Sequence, residues 1–592
     1  MAGDALTVDH SFSGRAWRPR LEDGRAALAL SQTLNLPEVV GRALAARGIG
    51  PEDADRFLNP LLKDELPDPG HLKDMETAAR RIADAIEGGE GIAVFGDYDV
   101  DGATSTAVLT RFFRALGIGI ACYIPDRIRE GYGPNPKAML ALGAGGAKVV
   151  ITVDCGIAAF EALAAAKAAG IDVVVVDHHV AETRLPEALA VINPNRLDED
   201  SPHKQLAAVG VAFLLVVAVN RELRARGVYS SRPEPDLMGL LDLVALGTVC
   251  DQVRLTGVNR ALVSQGLKVL AARNNTGLVA LADVAGLDSR PEAWHLGFLL
   301  GPRINAGGRV GRADLGARLL SCDDRAEAEA MARELDAFNA ERREIEAAVL
   351  EKALAQAETE GDNGGPGLVF VAGDGWHPGV LGIVASRIND RLHRPTCVAG
   401  IEGGIVKGSG RSIPGIDLGA AVIAARQAGL LIAGGGHAMA AGFTVATDKL
   451  TAFKEFLAAR IDAQHAEQGA EVGRILYHDG VITVGGATPD LAEEIKALAP
   501  FGQGNAEPRF VLPAVRVGKA DVVGENHVRL FVNGPDGGRI KAIAFRAADQ
   551  PLGAALLNAG GLPVHLAGKL RIDDWQGRHD VQFLLDDAAP AA

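Results

Sequence analysis

Thiols are scarce in this chain of 592 residues: Cys122, Cys155, Cys250, Cys322 and Cys397 stand far apart and form no CxxC-type pair. That spacing argues against a disulfide framework or a cysteine zinc site, and it suits a reducing compartment. Aromatic residues are also few, at 5%, a share that fits α/β layers better than an all-β protein. No run of about 18 apolar residues occurs, and the N-terminus lacks the basic, apolar and small-residue order of a secretory signal, so neither a membrane span nor export is expected. The expected location is the cytoplasm. Positive charge is in deficit too, with a net charge of −15. That balance argues against coating nucleic acid by bulk electrostatics, because nonspecific affinity comes from neutralised phosphates. Local basic clusters and bound divalent cations would offset it.

What is present is apolar material in quantity, 48% of the residues, together with 72 glycines. The length suggests three or four domains. Residues 1–70 read as an N-terminal appendage with a small helical segment, Leu36 to Leu58, closed by Asn59-Pro60. From 71 to 323, short apolar runs (92–95, 149–153, 173–176) alternate with Ala-rich helical stretches such as Ala78 to Ile86 and Ala158 to Ala169. Such alternation is a βαβ series. Ser230-Ser231-Arg232-Pro233 marks a loop, and the helical run after it ends near Gly247. Residues 324–360 lack Gly and Pro, which predicts one long connecting helix. After the Gly-rich stretch Gly361 to Pro366, a second α/β unit is expected over 361–465, opening with Leu368 to Ala372. Residues 471–592 change to short alternating runs, Val528 to Val532 and Ile540 to Phe545, on either side of the turn Asn533 to Gly538. A small β-barrel is predicted there, of which the oligonucleotide-binding (OB) form is a common kind.

Acids and imidazoles cluster behind the apolar runs. Asp97-Tyr98-Asp99-Val100-Asp101-Gly102 follows Ile92 to Phe95, and Asp177-His178-His179 follows Val173 to Val176. Parallel strands carry their sites at their C-terminal ends. If the first strand continues into its motif, Asp97, Asp99 and Asp101 project to one side as alternate residues. Asp154 follows another apolar strand, and Asp251 follows the apolar run Val244 to Cys250. With His178 they offer enough oxygen and nitrogen for two divalent ions, Mn2+ or Mg2+, since no thiolate is offered. Two such ions suit phosphoryl hydrolysis. Singly, each element has a plainer reading: a solvated turn or a calcium loop for the Asp run, helix N-caps for Asp154 and Asp251. Their combination is harder to explain as surface decoration.

Four arginines, Arg303, Arg309, Arg312 and Arg318, lie against one acid, Asp314, in the Gly-rich stretch 301–318, which predicts a turn-like, phosphate-contacting loop. The plainer reading of each arginine is a surface salt bridge. In the predicted barrel, 12 Lys/Arg meet 15 Asp/Glu, so any strand-binding face must be local. Trp575, Phe531 and Phe545 are candidate stackers, with core packing favoured for the two phenylalanines.

The succession Asp-Tyr-Asp-Val-Asp-Gly (97–102), Val-Asp-Cys-Gly (153–156), Asp-His-His (177–179) and Gly-Thr-Val-Cys-Asp (247–251) resembles the DHH phosphoesterase superfamily. More narrowly it is similar to its RecJ branch, the single-strand-specific 5′-to-3′ DNA exonucleases. Supporting stretches are Tyr123-Ile124-Pro125-Asp126-Arg127 with Glu130-Gly131-Tyr132-Gly133, Gly301 to Arg309, Gly434 to Phe443, and Pro500 to Pro508. Gly434 to Phe443 resembles the glycine-rich motif of the associated DHHA1 domain. The resemblance implies that Asp99, Asp101, Asp154, His178 and Asp251 are metal ligands, with Asp154 between two ions. Asp97 stands at the first acid of the motif, where distant members differ. It also implies that His179 contacts the scissile phosphate, with Asp177 behind the histidines. Small-phosphatase relatives carry a histidine where this chain has Phe95, which favours the nuclease branch. Arg127, Arg129, Arg303, Asn305, Arg309, Ser409, Arg411 and His437 are the implied phosphate and strand contacts. The implied partner is single-stranded DNA, with a single-strand-binding protein and a helicase as candidate protein partners, a monomer as the default state, and a role in DNA repair and recombination. Two alternatives stay open: a DHH phosphodiesterase acting on short oligonucleotides or cyclic dinucleotides, and a binding scaffold with an inactive site.

Overall fold

The apolar runs of the first third become the inner strands of a parallel sheet. The computed structural model describes residues 6–360, 367–468, 475–573 and 580–591. It divides into two units, Pro67–Asp251 with Gly266–Ala470, and Met1–Leu66 with Gln252–Gln265 and Glu471–Ala592. In the first unit, strands β1 (Gly91–Gly96), β2 (Ala121–Tyr123), β3 (Ala147–Val153), β4 (Asp172–Val176) and β5 (Ala190–Ile192) lie in the order β2-β1-β3-β4-β5, all parallel. Both faces are covered, so the strands are continuous Val/Ile/Ala runs rather than alternating ones. Ala93, Phe95, Val150, Val173 and Val175 pack on one face with Met139 and Leu163. The winding direction reverses between β1 and β3, and doubly wound sheets place their ligands at that crevice. Asp97 follows β1 and Asp154 follows β3, so sheet order alone brings the two motifs together.

Helix α1 (Val100–Ala115) leaves the crevice, α2 (Ala208–Ala225) and α3 (Leu241–Cys250) follow, and α4 (Gly301–Val310) leads to α5 (Arg325–Glu360). Helix α3 runs three residues beyond the predicted stop at Gly247, so the apolar run before Asp251 is a buried helix. Short apolar runs do not distinguish a strand from a buried helix by periodicity. The stretch predicted as an arginine loop is helical through Val310. Its glycines serve close packing: a Cβ on Gly308 would lie 3.0 Å from the Tyr98 carbonyl oxygen, and one on Gly301 would lie 2.5 Å from Cys250 Sγ. The 36-residue helix α5 carries a buried polar row on one side, Asn339, Arg342 and Glu346.

The same unit continues with β6 (Val369–Asp374), α6 (Pro378–Leu392), β7 (Thr396–Glu402), β8 (Ile405–Arg411), α7 (Leu418–Gln427), β9 (Ala433–His437), β10 (Ala440–Ala446) and α8 (Leu450–Gln468). These strands form a second sheet in the order β9-β10-β8-β7-β6, in which only β6 and β7 are parallel. The Gly434 to Gly436 run lies within strand β9. The stretch Gly361 to Pro366 lies outside the described residues.

In the second unit, β11 (Phe510–Val523), β12 (His527–Asn533), β13 (Arg539–Ala544), β14 (Pro563–Asp573) and β15 (Asp580–Pro590) close in the order β11-β12-β13-β15-β14 and back to β11. Only the β13–β15 pair in that ring is parallel. This is a five-stranded barrel of OB type. Along β12, Val528, Leu530 and Val532 are buried while Arg529 and Phe531 alternate to the outside. Phe531 is half-buried and Phe545 is 57% exposed, and neither belongs to the barrel core, which corrects the expectation of core packing. Trp575 lies outside the described residues. The N-terminal segment is more than an appendage. Strand Ala16–Pro19 pairs with Ile475–His478, and Leu30, Val40 and Leu44 share the core of Phe510, Leu530 and Phe583.

Candidate metal centre and phosphate-binding surface

Strand β1 stops at Gly96, and Asp99 caps helix α1: its carboxylate accepts from the amides of Asp101 at 2.9 Å and Gly102 at 3.1 Å. The expected alternation of Asp97, Asp99 and Asp101 along an extended strand therefore fails, because Asp101 already lies in the first helical turn. A strand-to-helix turn brings the three acids together instead. Asp101 is buried and accepts from the Ala208 and Val209 amides at 2.7 and 2.8 Å, at the start of α2. Neither Asp154 nor Asp251 is an N-cap. Asp154 holds a left-handed backbone, φ 59°, just after β3, and Asp251 sits at the C-terminal end of α3.

Among the described residues three ligand groups result: Asp97, Asp99 and Asp154; Asp101, His178 and Asp251; and Asp154 with His178 and His179. Within each group the ligand atoms lie within 4.8 Å of one another. Asp154 is common to two of them. His178 Nε2 lies 3.4 Å from Asp154, 3.6 Å from Asp251 and 3.9 Å from Asp101. Four of these atoms, Asp97 Oδ1, Asp154 Oδ1, His178 Nε2 and Asp251 Oδ2, are buried and have no hydrogen-bond partner. Buried polar atoms are normally satisfied, so this crowding of bare ligand atoms fits divalent cations. The protonation states agree. Asp97, Asp101, Asp154 and Asp251 are pushed above the ordinary carboxylate range, by burial first and by neighbouring carboxylates second. Burial, then the charge of His179, drops His178 to about 4, leaving it a neutral ligand at neutral pH.

Asp177 stands behind the pair. It is fully buried and accepts from the His178 amide at 2.7 Å, the His179 amide at 3.1 Å, His179 Nδ1 at 2.8 Å and the Ile157 amide at 3.0 Å. Burial alone would lower the His179 imidazole, but the Asp177 hydrogen bond and the surrounding carboxylates override it and raise it to about 9. In the metal-free protein this favours the protonated imidazole. Asn195 and Asn193 donate to the His178 and His179 carbonyls at 2.6 and 2.8 Å. Sequence reading had no signal for these two asparagines, since Asn in a strand-end turn is ordinary.

The arginines sort into two sets. Arg309 donates to the Gly379 carbonyl at the start of α6 at 2.8 Å, and burial together with the charges of Arg127 and Arg342 lowers it to about 10. Arg411 donates to Ser409 Oγ at 3.1 Å, and it too is lowered, by burial first and Arg127 second. Arg127 lies 5.0 Å above the Tyr98 ring. These cations repel one another beside Asp99, an arrangement that favours an anion. Register places His437 in the same row: Arg411 pairs with Ala440, and Ala440 with His437. Arg303 stands apart, spending its fork on Asp336 at 2.9 Å and the Leu299 carbonyl at 2.6 Å. Arg129 is exposed and Asn305 half-buried. Arg342, held by Glu346 and by Asn339 at 2.6 Å, was missed because the long helix is dense in charge and marks no single position.

Fold and site together define a metal-dependent phosphoesterase of the DHH class. The profile of the DHH family, N-terminal domain matches residues 91–248, that of the DHHA1 domain 364–463, and that of the RecJ OB domain 478–587. The chain is 38% identical over 573 residues to the single-stranded-DNA-specific exonuclease RecJ of Dickeya dadantii, covering 94% of this chain and 96% of that protein. The crystal structure of RecJ in complex with Mn2+ from Thermus thermophilus superposes with a TM-score of 0.78 at 31% identity, over 96% of this chain and 78% of that one. RecJ of the same organism in complex with Mg2+ gives 0.74 at 29% identity, over 97% and 78%. The chain belongs to the RecJ family of single-stranded-DNA-specific exonucleases.

Proposed function

We propose that this chain removes nucleotides from the 5′ end of single-stranded DNA by hydrolysing phosphodiester bonds with two divalent cations, Mn2+ or Mg2+. Asp97, Asp99 and Asp154 would hold one ion, and Asp101, His178 and Asp251 the other, with Asp154 shared. The observation that carries the reading is the set of four bare, buried ligand atoms within that cluster. When bound, the ions supply charge that acidifies an attacking water and neutralises the phosphoryl oxygens.

The chain's own groups do the rest. His179, kept charged by Asp177, offers a cationic donor to the scissile phosphate. Arg127, Arg309 and Arg411 form a cationic pocket whose mutual repulsion a terminal 5′ phosphate relieves, which gives the enzyme its polarity. Ser409 and His437 border that pocket from the second sheet. On the barrel, Phe531 has the Arg529 and Arg539 guanidiniums at 5.9 and 5.2 Å from its ring, a stacking platform with charge for the backbone. Arg303 is a structural tie rather than a phosphate contact.

The five unpaired cysteines suit work in the cytoplasm, and the RecJ relationship suits a part in DNA repair and recombination. A monomer acting on strands opened by a helicase and covered by a single-strand-binding protein is the simplest setting. Incubation with Mn2+ and with 5′-labelled or 3′-labelled single strands, duplex, and a dinucleotide tests the reading. Stepwise loss of the 5′ label from single strands alone is expected; preference for the dinucleotide, or attack from the 3′ end, refutes it.

A further inference from the structure

We propose that Tyr132 is a positioning residue whose hydroxyl locks Asp154 and His179 into the register that cation binding and turnover require. The inference rests on Asp154 being the shared metal ligand, as proposed above.

Tyr132 lies in the loop after β2, between Gly131 (φ 85°) and Gly133 (φ 80°). Its hydroxyl donates to the Asp154 carbonyl oxygen at 2.8 Å and stands 3.2 Å from His179 Nδ1. The two rings meet edge to face with centroids 5.7 Å apart. A phenol has one proton to give. Spent on the Asp154 carbonyl, it leaves the oxygen as an acceptor only, so the Tyr132 contact requires a hydrogen on His179 Nδ1. Asp177, at 2.8 Å from the same nitrogen, makes the same demand. Nδ1 carries one hydrogen, so the nearer Asp177 takes it and the Tyr132 oxygen shares it as a second, longer acceptor; both lie against the same ring edge and select one orientation of the His179 ring.

The bond to Asp154 acts on an uncommon backbone. Asp154 sits at φ 59°, where non-glycine residues persist only when their surroundings hold them. Its amide donates to the Val176 carbonyl at 3.0 Å, and Tyr132 engages its carbonyl, so both main-chain groups are held. One hydroxyl thus ties the loop after β2 to the residues following β3 and β4. Tyr132 is 53% exposed as a residue, and Phe keeps the same ring, so the change costs little packing and deletes the polar contacts of the hydroxyl.

The experiment compares wild type, Tyr132→Phe and Asp154→Asn by calorimetric Mn2+ titration without DNA, by steady-state kinetics on a 5′-phosphorylated single strand, and by apo melting temperature. Expected for Y132F is Mn2+ affinity about 10-fold weaker and kcat about 10- to 100-fold lower, the range for partners that orient metal ligands, with KM and apo Tm unchanged. D154N should lose tight Mn2+ binding. Wild-type Mn2+ affinity and kcat in Y132F, with D154N impaired, overturns the role of Tyr132 alone. A rise in KM only makes Tyr132 a strand contact, and a fall in apo Tm at unchanged Mn2+ affinity makes it structural; either overturns the proposal. Wild-type Mn2+ affinity in D154N overturns the ligand reading itself.

Discussion

Asp154→Asn should make the metal-free protein more stable while abolishing its activity. Asn is isosteric and tolerates the left-handed backbone at this position as well as Asp does. The change removes a carboxylate whose ionisation burial and its neighbours oppose, in a cluster whose ligand atoms lie within 4.8 Å. At an effective dielectric constant of about 20, one like-charge pair at that separation costs about 3 kcal/mol. Proton uptake by the neighbouring acids relieves much of this in the apo protein, leaving about 1–2 kcal/mol, or about 1–3 °C in Tm for a unit of this size. The gain depends on pH with a definite sign. Native Asp97 and Asp251 hold their protons to about 8 and about 7, whereas the ordinary carboxylate releases its proton at 3.8. Between those values the native state binds more protons than the unfolded chain, so apo wild type loses stability as pH rises. The advantage of D154N is therefore largest near about pH 8 and fades toward about pH 5. Melting curves in EDTA and in Mn2+ check it: Mn2+ should raise Tm strongly in wild type and little in D154N. A lower apo Tm for D154N at the higher pH, or equal Mn2+ shifts in both proteins, would refute the reasoning.

Arg411→Ala should cost about 1.5–3 kcal/mol, or about 10- to 150-fold in kcat/KM, on a 5′-phosphorylated strand and far less on a 5′-hydroxyl strand; paired initial rates measure the difference, and equal losses on both would remove Arg411 from the phosphate pocket. Phe531→Ala should weaken binding of long single strands by about 1–3 kcal/mol while sparing cleavage of short oligonucleotides, as read by affinity against strand length. Gly308→Ala adds a methyl 3.0 Å from the Tyr98 carbonyl. Helix propensity would reward that change by about 1 kcal/mol on an unconstrained helix, but here kcat should fall several-fold with no gain in Tm, and a more stable, fully active variant would contradict the close-packing role.

How much was legible in the sequence depended on how local each feature is. The parallel strands were readable because burial on both faces leaves an unbroken apolar run, as in Val173 to Val176. The acids were readable because ligand chemistry selects residue types, and sheet order then brings Asp97 and Asp154 together. How the acids converge was not readable: Asp99 starts a helix one residue later, and that turn, not strand alternation, aims Asp101. Gly301 and Gly308 read as turn residues, yet they serve helix packing against Cys250 and Tyr98, which only tertiary contacts disclose. Arg303 and Arg309 looked alike in sequence, and the structure separates them by what each guanidinium meets: Asp336 for one, a crowd of other arginines for the other. Phe531 and Phe545 were misjudged because hydrophobicity alone does not say which side of a barrel wall a side chain takes.

The most direct test of the two-ion claim is manganese anomalous diffraction from crystals of the protein equilibrated with Mn2+. Two peaks are expected, one among Asp97, Asp99 and Asp154 and one among Asp101, His178 and Asp251, with Asp154 touching both. A single peak, or peaks away from these residues, would contradict it.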